Sequence, residues 1–103
     1  MLCVGLDPEL SRLPAGIRQT PSGMITFLRS IIAATTDLAC AYKPQIAHFS
    51  AIGAESALVE SIKLIRELAP HAVVILDAKR GDIGSTAAMY VRDAFDRYGA
   101  DAV

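Results

Sequence analysis

The sequence predicts an α/β fold in which helices cover a parallel sheet. Three observations lead there. Short apolar runs at residues 2–6, 38–42 and 71–76 lack the alternation of a half-exposed strand. Segments with helical spacing of apolar residues separate and follow them. Each run also stops at charge: Asp7, then Lys43, then Asp77 followed by Lys79. Strands separated by helices pair in parallel, with right-handed crossovers. In such folds the carboxyl ends of the strands form the functional rim.

In chain order, LCVGL at 2–6 is the first strand, broken by Asp7-Pro8. Residues 8–23 hold Pro8, Pro14, Gly16, Pro21 and Gly23 and read as a loop. From 24 to 37, Ile25, Leu28, Ile31 and Ile32 recur at helical spacing. LACAY at 38–42 is the second strand, closed by Lys43-Pro44. Residues 54–68 form the clearest helix, with Leu58, Ile62, Ile65 and Leu68 on one face and Glu60, Lys63 and Glu67 off it. Pro70 stops it, and the β-branched run 71–76 is the third strand. Helical spacing returns over 85–98 through Ala87, Tyr90, Val91, Ala94, Phe95 and Tyr98. Ser85 or Thr86 is placed to cap its start and Gly99 to end it. Asp101-Ala102-Val103 opens another strand.

This order suits the first three βα units, plus the start of strand four, of a (β/α)8 barrel, which needs about 250 residues. The chain enters a strand almost at once and stops within one. Residues 1–103 therefore read as a partial barrel domain, truncated at the C-terminus and at the N-terminus.

The 103 residues are 52% hydrophobic and 20% charged, with net charge −1, an ordinary soluble globular composition. Near-neutral charge provides no footprint for nucleic acid, and no apolar stretch approaches the roughly 18 residues of a spanning helix. Cys3 and Cys40 lie in apolar runs and read as small buried hydrophobes in a reducing, cytoplasmic compartment. No CxxC, His-rich or HExxH pattern marks a metal site.

The segment ILDAKRGDIGST at 75–86 carries the densest charge. Asp77 and Lys79 are two apart, so an extended backbone points both to one side. Asp82 lies on the loop beyond, where Gly81 and Gly84 permit a tight turn. An isolated Asp-x-Lys is most often a solvated ion pair. Asp7, Lys43 and Asp82 at the same rim shift the balance, because acids and bases crowded in a cleft perturb each other's ionisation. Arg80-Gly81-Asp82 spells an adhesion tripeptide, read here as coincidence, and Gly81-x-x-Gly84-Ser85-Thr86 lacks the GxxxxGKS phosphate-loop pattern. His48 follows strand two, with a packing or solvent role expected; His71 precedes strand three, away from the charged mouth.

GLDP at 5–8, YKPQ at 42–45 and LDAKRGDIGSTA at 76–87, in this order, resemble the orotidine 5′-phosphate decarboxylase family, specifically its longer bacterial branch. The resemblance runs over essentially the whole chain, and the third motif is the most specific. It implies an eight-fold βα barrel working as a homodimer, which converts orotidine monophosphate to uridine monophosphate and carbon dioxide without a cofactor or metal. It implies that Asp7 contacts the ribose and that Lys43 bonds the ribose and its neighbouring acid. Asp77 would lie beside the substrate carboxylate, and Lys79 would protonate the product carbon. Asp82 and Thr86 would enter the partner subunit's site. The family's phosphate grip lies on later loops, so the 103-residue chain alone is expected to bind substrate poorly and be inactive.

Two alternatives remain. Sugar-phosphate decarboxylases and synthases of the same superfamily share Asp-x-Lys-x-x-Asp but use magnesium, held partly by a carboxylate after strand two. Lys43 occupies that place, and an ammonium has no lone pair to give a metal. The other alternative is a non-catalytic barrel fragment that only associates with a partner.

Overall fold

The computed structural model describes residues 1–103. Three parallel strands, β1 (Leu2–Leu6), β2 (Ala39–Pro44) and β3 (Val73–Val74), form a sheet in the order β1-β2-β3. Four helices accompany them: α1 (Pro21–Thr35), α2 (Ile46–Ser50), α3 (Glu55–Leu68) and α4 (Gly84–Val91). The ladder of β3 is short, but its extended run continues. The Ile75 and Asp77 amides donate to Tyr42 and Pro44 oxygens at 2.9 Å each. On the other side Ile75 bridges Ala102 in parallel, as the expected opening of a fourth strand requires.

Register decides which side chains share a face. Cys3 pairs with Ala41 and Gly5 with Lys43, while Ala41 pairs with Val73. Alternation therefore places Cys3, Gly5, Lys43, Val73 and Asp77 on one face and Leu6, Tyr42, Val74 and Leu76 on the other. The second face is the buried one. There Leu6, Tyr42, Val74 and Leu76 meet Met24, Leu28 and Ile32 of α1 and Leu58, Ile62 and Ile65 of α3 within one apolar core. Each such side chain contributes about 1.5–3 kcal/mol when fully buried. Tyr42 keeps its hydroxyl satisfied inside this core by donating to the Ile32 oxygen at 3.2 Å beside Thr35 Oγ1 at 2.9 Å.

The differences from the sequence reading have local causes. The loop expected over 8–23 contains a 3-10 turn at Leu10–Arg12, and α1 starts at Pro21. Thr20 caps it by accepting from the Gly23 amide at 3.2 Å, and Pro21 sits where its missing N–H costs nothing. Helix α2 was not anticipated, because five residues after a strand carry no measurable period. Residues 85–98 do not form one regular helix: α4 ends at Val91 and Arg92–Arg97 widen into a π-helix. Neither Ser85 nor Thr86 caps α4; Ile83 holds the N-cap position without a side-chain bond. Gly99 ends the segment as expected, at φ +66.

Cys3 and Cys40 are exposed free thiols, not buried hydrophobes. Cys3 faces the side of the sheet that no helix covers. Cys40 is the extra residue of a bulge, since Leu2 pairs with Ala39 and Cys3 with Ala41. Its thiol donates to the Leu2 oxygen at 3.3 Å. No helix is long and apolar enough to cross a membrane.

Gly23 sits where α1 begins, and a Cβ there would collide with the Arg18 carbonyl oxygen. Helix propensity alone favours alanine over glycine by about 1 kcal/mol. A clash with backbone outweighs this, so Gly23→Ala is expected to destabilise the fold by about 2 kcal/mol. Thermal unfolding checks it: a midpoint equal to or above wild type contradicts the packing described.

Candidate active site

The carboxyl ends of the three strands carry Asp7, Lys43 and Asp77 in spatial order. Backbone pairing fixes Asp77 firmly. Its amide donates to Pro44, and the Ile46 amide donates to its carbonyl at 3.1 Å. Its carboxylate faces two ammonium groups. Lys79 Nζ donates to Oδ1 at 2.7 Å and Oδ2 at 2.6 Å, while Lys43 Nζ donates to Oδ2 at 3.4 Å. The Asp77 side chain is 20% exposed, against 36% for Lys43 and 68% for Lys79. The hydrogen bond from Lys79 is the main cause holding the Asp77 carboxyl below its ordinary range; partial desolvation opposes it and Lys43 adds to it.

Asp77 and Lys79 do not meet by simple extension. Lys79 is the one non-glycine residue with positive φ, at +49. That left-handed turn folds the ammonium back onto the carboxylate two residues earlier. It costs a non-glycine residue about 1–2 kcal/mol. Strain of this kind gathers at functional sites.

Asp7 lies on the same face. A Cβ on Gly5 would stand 3.7 Å from Asp7 Oδ2, so the carboxylate hangs over the end of β1. It makes no ion pair with the lysines. An open hollow of about 380 Å³ adjoins the cluster, lined by Lys43, Ile75, Asp77, Ala78, Lys79 and Arg80.

Asp82 and Thr86 stay outside this cluster. Both are exposed. Asp82 Oδ1 accepts only from its neighbour's amide, Ile83 N, at 2.7 Å. His48 is partly buried and lines a shallow hollow with Glu9 and Ser11 near the rim. His71 Nε2 lies 3.1 Å from the Thr36 oxygen, remote from the lysines. Sequence reasoning missed the partners of Arg80. This residue bonds Asp93 at 2.7 Å and lies 5.7 Å from the Tyr90 ring centroid. A spacing of thirteen residues across a loop carries no sequence signal.

The model of the orotidine 5′-phosphate decarboxylase / HUMPS family matches residues 1–103. The chain belongs to this family. It is 59% identical over 103 residues to the orotidine 5′-phosphate decarboxylase of Paracidovorax citrulli (strain AAC00-1), covering all of this chain and 38% of that protein. It is 55% identical over 102 residues to the namesake protein of Janthinobacterium sp. (strain Marseille), covering 99% of this chain and 38% of the relative. Among solved structures it is similar to Leishmania donovani OMP decarboxylase, at 38% identity and a TM-score of 0.78 over 95% of this chain and 36% of that one. This decarboxylase-family chain thus spans 38% of the length of the curated relatives it matches. The likeness agrees with the α/β reading and with a barrel of which this chain forms about a third.

Proposed function

We propose that this chain supplies the first three βα units of an enzyme that decarboxylates orotidine 5′-phosphate to uridine 5′-phosphate. The observation that carries the reading is the alternating set at the strand ends, with Asp77 held between Lys43 and Lys79. Breaking the bond between the ring carbon and its carboxylate leaves an electron pair on that carbon as carbon dioxide departs. A fixed ammonium beside the carbon stabilises this developing charge. The Lys79 ammonium then donates its proton to the carbon, and the neutral amine regains one from water. Asp77 keeps the Lys79 ammonium aimed, and it lies beside the substrate carboxylate. Lys43 and Asp7 take the ribose hydroxyls. No cofactor is needed.

Asp82, on the loop before α4, and Thr86, in the first turn of α4, are both exposed, with Ile83 86% exposed between them. That exposure supports their assignment to the partner subunit's site in a homodimer. The enzyme acts in the cytoplasm. The isolated 103 residues are inactive, because the groups that grip the phosphate belong to later units.

The magnesium-dependent sugar-phosphate reading is less well supported. The Asp77 oxygen that a divalent ion would take already faces both ammonium groups. The test is uridine monophosphate formation by the full-length protein, with and without EDTA, beside the 103-residue chain. Activity of the full-length protein that EDTA leaves intact, with none from the chain, is expected. Magnesium-dependent turnover of a sugar phosphate instead would overturn the proposal.

A further inference from the structure

The left-handed turn at Lys79 is clamped at both ends. On the near side Asp77 is locked to Pro44 at the end of β2 through its amide and to Ile46 at the start of α2 through its carbonyl. On the far side Arg80 donates to Asp93 Oδ2 at 2.7 Å and lies over Tyr90. Little else secures that far side. No residue of α4 is buried, and the loop from Gly81 to Ile83 and the first turn of α4 up to Thr86 are exposed throughout. The first buried residue after the loop is Ala94, adjacent to Asp93. Asp93 therefore stands on the nearest anchored point of the helix and reaches back to the residue that follows Lys79.

We propose that Arg80 and Asp93 are positioning residues for Lys79. Their ion pair holds the far end of the turn, and so holds the ammonium against Asp77. A non-glycine residue left to itself relaxes from this backbone region into an extended or right-handed helical one. Either relaxation swings the Lys79 side chain away from Asp77. The inference rests on the role proposed for Lys79, but its first test does not depend on that role.

That test follows the Asp77 side-chain carbon of the full-length protein by nuclear magnetic resonance across an acid titration. The groups facing Asp77 are Lys79, two residues on, and Lys43 from β2, with Asp7 just past the end of β1. Around Asp93 stand Arg80, Arg97 and Tyr90, with Asp82 lining the same cavity of about 190 Å³. Arg80→Gln and Asp93→Asn are each expected to move the Asp77 midpoint up toward the ordinary carboxylate range, because Lys79 is its main stabilising partner. Arg97→Gln is the control. Arg97 meets the other Asp93 oxygen, Oδ1, at 3.0 Å and does not touch the turn, so its loss is expected to leave the midpoint in place. An unmoved midpoint in Arg80→Gln or in Asp93→Asn overturns the proposal. An equal shift in Arg97→Gln also overturns it, by showing general loosening of the helix.

A second measurement uses the full-length protein. Both variants are expected to lower kcat roughly tenfold to a hundredfold, the scale of a misplacement of about 1 Å, with KM nearly unchanged. A rise in KM at constant kcat would overturn the positioning role. Should Lys79→Ala prove fully active, the decarboxylation reading fails while the titration still decides the clamp.

Discussion

Replacing Lys79 by alanine is expected to lower kcat/KM for uridine monophosphate formation by about 10⁴-fold or more in the full-length protein. Two contributions set that scale. Proton donation by a positioned side chain contributes about 10²–10⁴-fold. A fixed charge at the site of developing anion contributes about 10²–10³-fold. One ammonium performs both, so the two losses arrive together and do not simply multiply. The fold should survive, since the Lys79 side chain is 68% exposed and touches only Asp77 through hydrogen bonds. A second variant separates side chain from backbone. Lys79→Gly accepts the φ of +49 without cost and is expected to be about 1 kcal/mol more stable than Lys79→Ala. Both should be equally inactive. An alanine variant as active as wild type removes Lys79 from the chemistry.

Much of this site was legible in the sequence because strand ends announce themselves. Apolar runs that stop at Asp7, Lys43 and Asp77 locate the rim without knowledge of contacts, and parallel pairing then brings the charges together. The core face of α3 was legible for the same reason: Leu58, Ile62 and Ile65 recur at helical spacing and are buried. What escaped depends on geometry that periodicity cannot encode. The bulge at Cys40 breaks alternation locally, so an apolar neighbourhood did not mean burial. The start of α1 was hidden among prolines, although Thr20-Pro21 is itself a capping signal. The positive φ of Lys79 could not be read at all, because lysine is not a residue that favours it. The Arg80–Asp93 pair joins a loop to a helix that the sequence ran together as one regular element, and the π-helical widening after Val91 sets where Asp93 stands.

Replacing Asp77 by asparagine is expected to lower kcat/KM by about 10²–10³-fold, a scale set by loss of preorganised charge at the reacting centre. The amide would leave the Lys43 and Lys79 ammonium groups, which both contact Oδ2 in the wild type, without the negative charge between them. Lys79 would then lose the carboxylate that meets its ammonium at the near end of the left-handed turn. The change also predicts a pH signature. The Asp77 carboxyl is held below its ordinary range, first by the Lys79 hydrogen bond. A group with a lowered folded value keeps its contribution above the unfolded value and loses it as pH falls through the folded one. Wild-type activity should therefore persist below the usual carboxylate range and fall only when Asp77 itself takes a proton. In Asp77→Asn that acid limb should be absent from the pH profile. An acid limb of the same midpoint in Asp77→Asn would assign it to another group and detach Asp77 from the ammonium it is argued to hold.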